Sequence, residues 1–371
     1  MNEPSLHKTY KQQAAQLNHF RLTGKKIVGW ESPSNIALLK YWGKQGEQLP
    51  QNPSVSFNLK HSKTTTKIYY RKKKNRESSI EYFFKNERNG TFENRVKNYF
   101  EKLDVYMPFL EKLDFIIYSE NTFPHSAGIA SSASSFSALA HGLCSIEKEL
   151  FYTLKSPGEF HQKASFVARL GSGSASRSVP GKTVLWGHTD LVNGSSNEYA
   201  IPLDHQVHEQ FKTYRDAILI IDSGLKDFSS SQGHALMENH PFAQSRYLQA
   251  GKNLEMLLLA LKTGSEKLFA GIVESEAMTL HALMLSSNPP ASLMKPNTLA
   301  ILEKLIKFRK HSSLEFSFTL DAGPNIHILY PHKSRVRIVD FIRNELVAFC
   351  ENGSWIDDEV STGPKQIFYD I

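Results

Sequence analysis

A strand, a loop of small residues and a helix follow one another between residues 113 and 143. The segment LDFIIYSE is typical of a strand, and residues 121 to 140 read NTFPHSAGIASSASSFSALA. From Ser131 onward, apolar residues recur at intervals of three and four, which predicts one buried helix face: Ala133, Phe136, Ala140 and Leu143. A strand that enters a helix through such a loop restricts the chain to folds containing both elements.

The loop before Ser131 is suited to binding a phosphate group. Proline, glycine and small residues let backbone N–H groups approach an anion, and the helix dipole adds to the attraction. The hydroxyl groups of Ser131 and Ser132 offer further ligands for a phosphate oxygen or Mg²⁺. A closely packed Ser/Ala-rich helix would give the same pattern. No Gly-Lys-Ser/Thr sequence directly follows this loop, so it is not a Walker A loop.

Two further segments contain cations in distinctive settings. Residues 169 to 182, RLGSGSASRSVPGK, surround Arg177 with small donors, which suits a carboxylate or a diphosphate. Residues 32 to 44, SPSNIALLKYWGK, place Lys40 and Lys44 four residues apart, and two ammonium groups would neutralise charge during phosphoryl transfer. A flexible surface loop and two solvated lysines are the structural alternatives.

A single acidic residue, Asp321, lies in the segment LDAGPN at residues 320 to 325. It follows the predicted strand FSFTL and precedes Gly-Pro, so its carboxylate would have a rigid support for orienting or deprotonating a hydroxyl. An aspartate that only begins a turn is the structural alternative.

The length of 371 residues favours two lobes, because single cores rarely grow beyond about 250–300 residues. Residues 1–25 are interpreted as a polar, partly helical extension, residues 26–208 as an N-terminal lobe and residues 209–371 as a helix-rich C-terminal lobe. We also expect that the C-terminal tail can return to the N-terminal lobe. The alternating stretches SVSFNL and TTTKIYY predict β-hairpins.

The net charge of +7 and the pI near 9.1 are compatible with nucleic acid, an anionic membrane surface or a polyanionic small substrate. The densest basic run, residues 71 to 76, lacks interleaved aromatic residues. It lies between two strand-like stretches ending at Tyr70 and beginning at Ile80, which predicts a solvated hairpin tip. We therefore expect neither nucleic acid nor a membrane as a partner.

The two cysteines, Cys144 and Cys350, are far apart and show no metal-ligand spacing, which argues against a disulfide framework and a zinc site. The N-terminal segment is polar, and no stretch of 18 apolar residues occurs. We therefore expect a cytoplasmic protein.

In this order, the four segments resemble those of the diphosphomevalonate decarboxylases, a family of the GHMP kinase superfamily. SPSNIALLKYWGK resembles the N-terminal signature, FPHSAGIASSASSFSAL the phosphate loop, GSGSASRS the substrate loop and LDAGPN the catalytic-aspartate motif. Weaker matches are KDFSSSQGH, HALMLSSNPP and STGPKQ, so the resemblance covers nearly all of the chain after residue 25. It implies a two-lobed α/β (α+β) fold, with an N-terminal lobe like ribosomal protein S5 domain 2, a ferredoxin-like C-terminal lobe, and often a homodimer.

The resemblance also implies ATP and Mg²⁺ as cofactors and mevalonate 5-diphosphate as substrate. Its tertiary 3-hydroxyl would be phosphorylated, after which phosphate and CO₂ leave to give isopentenyl diphosphate. By matching position, Asp321 orients or deprotonates the hydroxyl, Lys40 stabilises the transferring phosphoryl group, and Arg177 holds the carboxylate. The positions matching substrate contacts are Tyr41, Lys44, Ser172, Ser174 and Ser230. The positions matching the ATP phosphate loop are Pro124, Gly128, Ala130, Ser131 and Ser132, of which the two serines also match Mg²⁺ ligands.

The sequence departs from the family pattern beside Lys44, where Gln45 and Gly46 replace the usual Arg-Asp. A related enzyme acting on mevalonate 5-phosphate, or a mevalonate 3-kinase, is therefore an alternative. The joint presence of Lys40, Arg177 and Asp321 favours full decarboxylation. A non-catalytic basic RNA-binding protein is the remote alternative.

Overall fold

The computed structural model describes residues 5–74, 79–124, 129–224 and 230–368. Within these ranges the helices are α1 (Leu6–Ala14), α2 (Gly90–Leu103), α3 (Ser131–Phe151), α4 (Pro157–Gly171), α5 (Ser230–Leu236), α6 (Ala243–Thr263), α7 (Glu266–Leu285), α8 (Pro296–Ser312) and α9 (Arg335–Phe341). The strands are β1 (Lys25–Leu39), β2 (Lys44–Gln45), β3 (Leu49–Pro50), β4 (Ser54–Lys72), β5 (Ile80–Phe84), β6 (Glu87–Arg88), β7 (Leu113–Asn121), β8 (Thr183–Trp186), β9 (Ala200–Pro202), β10 (Arg215–Leu219), β11 (Ser317–Thr319), β12 (Ile326–Tyr330), β13 (Trp355–Glu359) and β14 (Lys365–Ile367).

The first sheet has the strand order β14-β1-β4-β7-β5-β6, with β8 paired to β4 and β9 paired to β8. Helices α3 and α4 pack together, and α3 covers β1 and β4. The apolar residues of α3 predicted from their spacing face this core, where Phe136 packs among aromatic side chains such as Tyr99. Helix α4 begins with a capping box formed by Ser156 and Glu159, which satisfies two backbone N–H groups at its start. The strand–loop–helix prediction around Ser131 is therefore confirmed.

The two hairpin predictions in this sheet are wrong. The stretches SVSFNL and TTTKIYY form one continuous strand, β4, which pairs with β1 along most of its length. The strands on either side of the basic run do not pair with each other, because β7 lies between β4 and β5. Strand β5 runs parallel to β7, with Ile80 opposite Phe115. Residues 75 and 76 of the basic run lie outside the described residues.

The second sheet is antiparallel, with the order β11-β12-β10-β13. The expected helix-rich second half is confirmed by the three long helices α6, α7 and α8. Every residue of β10 and β12 is buried, including Asp216 and His327, which form a hydrogen bond with each other at 2.7 Å. Strand β11 ends at Thr319 and so places Asp321 on a short connection to β12.

Several contacts join the two sheets. Asp358 in β13 accepts backbone N–H groups from Lys60, His61 and Ser62, at 2.7 to 2.9 Å, so its carboxylate holds a bend in β4. Strand β14 pairs with β1 in the first sheet, with Ile367 opposite Gly29. These contacts hold β13 against β4 and β14 against the middle of β1.

Helix α7 is long and apolar enough, by length and composition, to cross a membrane. Within the fold, however, 56% of the apolar 18-residue stretch of α7 is buried. A buried core helix passes the same test of length and composition. Its buried residues include Phe269, Val273 and Leu280, which pack against neighbouring elements of the fold.

Candidate active site

A cavity of about 470 Å³ lies between the end of β1, the start of α3 and the connection after β11. Most of the residues predicted from the sequence line it. They are Lys40, Tyr41, Lys44, Ala130, Ser131, Ser132, Ser172, Ser174, Arg177 and Asp321. The structure therefore brings together segments that are almost 300 residues apart in sequence, as the sequence hypothesis requires.

Lys40 and Asp321 form an ion pair in this cavity, with Nζ 2.8 Å from Oδ1. The lysine side chain is almost completely buried, whereas the aspartate side chain is 25% exposed. Burial raises the pKa of Asp321, but the charges of Lys40 and Arg177 outweigh burial and hold this pKa below its ordinary value. The carboxylate is consequently ionised at neutral pH and accessible from the cavity.

A buried network fixes the backbone of Lys40. Its N–H donates to Glu276 Oε2 at 2.9 Å, and its carbonyl accepts from Asn52 Nδ2 at 3.0 Å. Glu276 in α7 also forms two hydrogen bonds with the Arg246 guanidinium of α6, and both residues are buried. Two helices of the second half therefore hold a residue at the end of β1, and Lys40 cannot shift without disturbing a buried ion pair.

Arg177 lies at the end of a short 3₁₀ helix, Gly173–Arg177, and is 3% exposed. Its Nε donates to Ser56 Oγ, whereas Nη1 has no hydrogen-bond partner in the described residues. Burial lowers the pKa of Arg177 to about 10, so the guanidinium remains charged at neutral pH. A buried cation with an unpaired N–H group that lines a cavity is suited to an anionic ligand.

The loop that contains Arg177 is held against β1. Asn35 donates from Nδ2 to the Ser174 carbonyl at 3.2 Å and to Ser178 Oγ at 2.8 Å. The hydroxyl groups of Ser172 and Ser174 lie 3.2 Å apart at the cavity wall. This loop is thus a fixed wall with several hydroxyl groups, and the alternative of a flexible surface loop is not supported.

Tyr41 and Lys44 line the cavity beyond Lys40. The Tyr41 ring contacts Trp186 edge-on, with centroids 4.7 Å apart, and its hydroxyl is buried without a partner in the described residues. Burial raises the pKa of the Tyr41 phenol, which therefore stays protonated and can donate a hydrogen bond. Lys44 begins the two-residue strand β2 and is partly exposed.

Helix α3 begins at the opposite wall. Ala130 precedes it in a left-handed conformation, with φ of 41°, and no described side chain caps the helix. The hydroxyl of Ser132, in the first turn, lies 3.4 Å from Ser172 Oγ. The start of α3 therefore contacts the loop that contains Arg177. Uncapped N–H groups and two hydroxyls at a helix start form a suitable anion site.

Three predicted residues are not placed at the cavity. Pro124 is not among the described residues that line it. Gly128 and the side chain of Ser230 lie outside the described residues, as do the first four residues of the segment KDFSSSQGH. No group of three or more His, Cys, Asp or Glu side chains that could hold a metal occurs in the described ranges.

Sequence reasoning missed two buried histidines at this site. His234 in α5 lines the cavity and contacts the rings of Tyr41 and Trp42. His281 in α7 lies beside Lys40 and Asp321, and burial with the Lys40 charge lowers its pKa to about 4. Both lie in segments that match the family only weakly. A single histidine without a spacing pattern gave no signal that could have identified its role.

Comparison with known proteins gives consistent results. The model of the diphosphomevalonate decarboxylase-like N-terminal domain matches residues 32–197, and that of the mevalonate 5-diphosphate decarboxylase C-terminal domain matches residues 217–365. The chain is similar to diphosphomevalonate decarboxylase from Ganoderma lucidum, with 29% identity over 341 residues, which cover 84% of this chain and 80% of that protein.

Solved structures with the same fold include mevalonate diphosphate decarboxylase from Staphylococcus aureus. The TM-score is 0.80 at 27% identity, covering 93% of this chain and 99% of that chain. MDDEF in complex with MVAPP, AMPPCP and magnesium is similar with a TM-score of 0.77 at 25% identity and the same coverage. These structures confirm the mixed α/β fold class, and the two domain models confirm the resemblance. The chain belongs to the diphosphomevalonate decarboxylase family.

Proposed function

We propose that this protein catalyses the ATP-dependent decarboxylation of mevalonate 5-diphosphate. The products are isopentenyl diphosphate, ADP, phosphate and CO₂. The observation that carries the proposal is the Lys40–Asp321 ion pair, which faces a cavity that also contains the unpaired guanidinium N–H of Arg177. Relatives named for this reaction, and a similar structure in complex with MVAPP, AMPPCP and magnesium, support it.

Asp321 acts on the tertiary 3-hydroxyl of the substrate. Because its pKa lies below the ordinary value, its carboxylate is a weak base toward a free alcohol. Its main contribution is to accept the hydroxyl hydrogen bond and orient the oxygen for in-line attack on the γ-phosphorus of ATP. The proton moves to the carboxylate only as the new oxygen–phosphorus bond forms and ADP leaves.

Lys40 provides the positive charge at the point of phosphoryl transfer. Its Nζ lies 2.8 Å from Asp321 and donates to the Ala37 carbonyl at 2.8 Å, so the ammonium group is held rigidly. A cation fixed in this way stabilises charge on the transferring group without reorganisation. The buried Arg246–Glu276 pair supports this position from behind.

Arg177 holds the substrate carboxylate during elimination. The 3-phosphate leaves from a tertiary carbon with its bonding electrons, and the carbon–carbon bond to the carboxylate then supplies the electrons of the new double bond as CO₂ is released. Arg177 must bind the carboxylate without a tight bidentate grip that would oppose this electron flow. A guanidinium that already donates from Nε to Ser56 has only part of its donor set left for the ligand.

We assign the ATP phosphates to the start of α3, with Ala130, Ser131 and Ser132 and with Pro124 and Gly128 on the preceding loop. The uncapped helix start and its two hydroxyl groups fit this polyanion. Mg²⁺, bound with the nucleotide, would neutralise phosphate charge, and Ser131 and Ser132 are the residues proposed to contact it. Few carboxylates are required, because magnesium commonly keeps water and phosphate ligands.

The cavity continues from the phosphate site toward an apolar wall that suits the adenine ring. Phe92 and Tyr82 stack with centroids 5.6 Å apart, and the Arg95 guanidinium lies 5.6 Å from the Phe92 ring. Such a group of aromatic and cationic side chains favours a flat heterocycle. Replacing Phe92 by alanine is expected to raise the KM for ATP more than the KM for the second substrate.

The remaining substrate contacts are assigned to the wall between Arg177 and Lys44. Tyr41, Lys44, Ser172, Ser174 and Ser230 are proposed to contact mevalonate 5-diphosphate. The buried Tyr41 hydroxyl supports this assignment, since it lacks a partner in the described part of the chain.

The test is an assay of ADP and CO₂ release with ATP, Mg²⁺ and, separately, mevalonate, its 5-phosphate and its 5-diphosphate. We expect equal amounts of ADP and CO₂ and the highest kcat/KM with the 5-diphosphate. Release of ADP without CO₂ from every substrate would reject the decarboxylase and support a 3-kinase. Preference for the 5-phosphate would instead support the related phosphomevalonate enzyme.

We also propose a cytoplasmic homodimer. Both cysteines are buried and free, which suits a reducing compartment. Leu248, Met256 and Leu259 of α6 are exposed apolar residues that a second copy could cover. Sedimentation velocity of the wild type and of a Leu248→Lys, Met256→Lys variant tests the dimer and this surface.

A further inference from the structure

The protonation of His234 is fixed by its backbone contact. The Gly43 N–H donates to Nδ1 at 3.0 Å, so Nδ1 must be the unprotonated acceptor. A neutral imidazole has one acceptor and one donor nitrogen, and the hydrogen therefore lies on Nε2. Gly43 has a φ of 89°, a backbone conformation that residues with a Cβ rarely adopt, so glycine favours this contact.

The environment holds the His234 ring in place. It lies 4.3 Å from the Tyr41 ring and 4.8 Å from the Trp42 ring, between centroids, and only 8% of the residue is exposed. Burial, with Lys44 and Arg177 nearby, lowers the pKa of His234 to about 3. At neutral pH this side chain is a neutral, immobile hydrogen-bond donor.

The Nε2–H group makes no hydrogen bond within residues 5–74, 79–124, 129–224 and 230–368. The ring nevertheless lines the cavity with Lys44, Arg177 and Tyr41. The Lys44 cation, a phenol hydroxyl and an imidazole N–H, the last two without partners among the described residues, therefore border the same part of the cavity. Each of these groups attracts an anion, and a donor that lines the cavity without a protein partner is available to a ligand.

We propose that His234 is a further substrate-binding residue, which donates from Nε2 to the 5-diphosphate of the substrate and favours the diphosphate over the monophosphate. This inference rests on the proposed function. The chain from Lys40 to Lys44 spans at most about 14 Å. Because the reacting hydroxyl lies at the Lys40 end, the diphosphate extends toward Lys44 and toward the amide of Gly43, where His234 is bound.

Two substitutions separate ligand contact from backbone support. His234→Asn places an amide oxygen near the position of Nδ1, so it keeps the acceptor for Gly43 and removes the distal donor. His234→Gln places an amide nitrogen near the position of Nε2, so it keeps the distal donor and loses the Gly43 contact. Each variant therefore keeps one of the two hydrogen bonds of His234 and removes the other.

The dissociation constants of mevalonate 5-diphosphate and 5-phosphate are measured calorimetrically for the wild type and both variants, together with kcat. For His234→Asn we expect about tenfold weaker binding of the diphosphate, the usual effect of losing one hydrogen bond to a charged group, with little change for the monophosphate. His234→Gln should stay closer to the wild type. Weaker binding in His234→Gln alone would overturn the proposal, since His234 would then act only through Gly43. Equal weakening for both ligands would overturn it as well.

His240 provides the matched control. It is also buried, with Nδ1 accepting the Phe242 N–H at 3.2 Å, but its Nε2 lies 2.9 Å from the Leu283 carbonyl, and it does not line the cavity. His240→Asn should lower the free energy of unfolding without changing the diphosphate preference. Absence of turnover in the wild type would reject the proposed function, whereas turnover with an unchanged preference in His234→Asn would reject only this inference.

Discussion

At the Lys40 end of the cavity the charged groups pair with each other, whereas toward Lys44 two polar groups have no partner within the described ranges. Lys40 is bound to Asp321, and its backbone to the buried Glu276. Toward Lys44, the Tyr41 hydroxyl has no hydrogen-bond partner among the described residues, and of the two ring nitrogens of His234 only Nδ1 has one. The first arrangement fixes geometry before substrate arrives, and the second leaves donors for an anion.

The difference follows from what each end has to do. Phosphoryl transfer requires groups that keep their positions while charge moves, so internal pairing is an advantage. Substrate binding requires donors whose partners come from the ligand, and these donors are less stable in its absence. Substitutions at the paired end should therefore reduce kcat, and substitutions at the unpaired end should reduce affinity.

The largest effect is expected from Asp321→Asn. The amide retains the shape of the side chain but cannot orient the hydroxyl as a charged acceptor, and it leaves Lys40 without its counter-ion. We expect kcat to fall by about a thousand-fold or more, while the affinity for ATP changes little, as for a group acting mainly in the transition state. Steady-state assays and equilibrium ATP binding measure both quantities, and near-normal turnover would remove Asp321 from this role.

The support behind Lys40 is tested with Glu276→Gln. The amide leaves the buried Arg246 without a counter-charge, and breaking such a pair costs about 3–5 kcal/mol. Because the Lys40 backbone loses a charged acceptor as well, kcat of the folded protein should also fall, by about tenfold. Denaturant unfolding gives the stability, and assays normalised to folded protein give kcat.

Glu147→Gln is the matched control for this prediction. Glu147 and Lys163 form another fully buried ion pair, at 2.7 Å, between α3 and α4. Glu147 lies about 24 Å along α3 from Ser131, at 1.5 Å per residue. This variant should lose comparable stability and keep kcat. If Glu276→Gln kept kcat as well, the Arg246–Glu276 pair would be only a stabilising contact.

The sequence predicted the elements that carry the candidate site better than the arrangement of strands. The start of α3 at Ser131 and the support for Asp321 after β11 are local features, which apolar spacing and strand ends reveal. The pairing of β5 with β7 depends on residues more than 30 positions apart, and alternation within one strand cannot identify its partner. The hairpin predicted at the basic run failed for this reason, whereas the prediction from SVSFNL and TTTKIYY failed because both stretches lie in the single strand β4.

The same limit explains the missed support groups. Arg246 and Glu276 lie on different helices, and each resembles an ordinary surface charge in the sequence. Only the packing of α6 against α7 reveals that they face each other and the backbone of Lys40. His234 gave no motif either, because its partner is the amide of Gly43, almost 200 residues earlier.

At the unpaired end, Tyr41→Phe is expected to separate affinity from stability. The buried hydroxyl has no partner in the described residues, so its loss should leave the free energy of unfolding unchanged or raise it by up to about 1 kcal/mol. The affinity for mevalonate 5-diphosphate should fall by about tenfold, with kcat preserved. Calorimetric binding and denaturant unfolding give the two quantities.

Tyr99→Phe is the contrasting control, since the buried Tyr99 hydroxyl donates to the Val167 carbonyl at 2.9 Å. Its removal should cost about 1 kcal/mol of stability without affecting affinity. If Tyr41→Phe behaved in the same way as Tyr99→Phe, the Tyr41 hydroxyl would have a structural partner and no part in binding.

The smallest expected effect is a pH dependence that both ends share. Burial lowers the pKa of His281 to about 4 and that of His234 to about 3, compared with 6.5 in an exposed histidine. The unfolded chain therefore binds more protons than the folded protein between these values, so stability rises with pH there and is lost as pH falls below 6.5. Each histidine should cost about 1 kcal/mol between pH 6.5 and pH 5.5.

Unfolding of the wild type, His281→Asn and His234→Asn at both pH values measures this dependence, and each variant should have a shallower slope than the wild type. Mevalonate 5-diphosphate distinguishes the two ends. An anion bound at Nε2 of His234 stabilises the protonated ring, and His234 then contributes less to the loss of stability as pH falls. His281, which faces the internal Lys40–Asp321 pair, should keep its contribution when substrate is bound. Equal responses of both histidines to the substrate would contradict the distinction between a paired and an unpaired end.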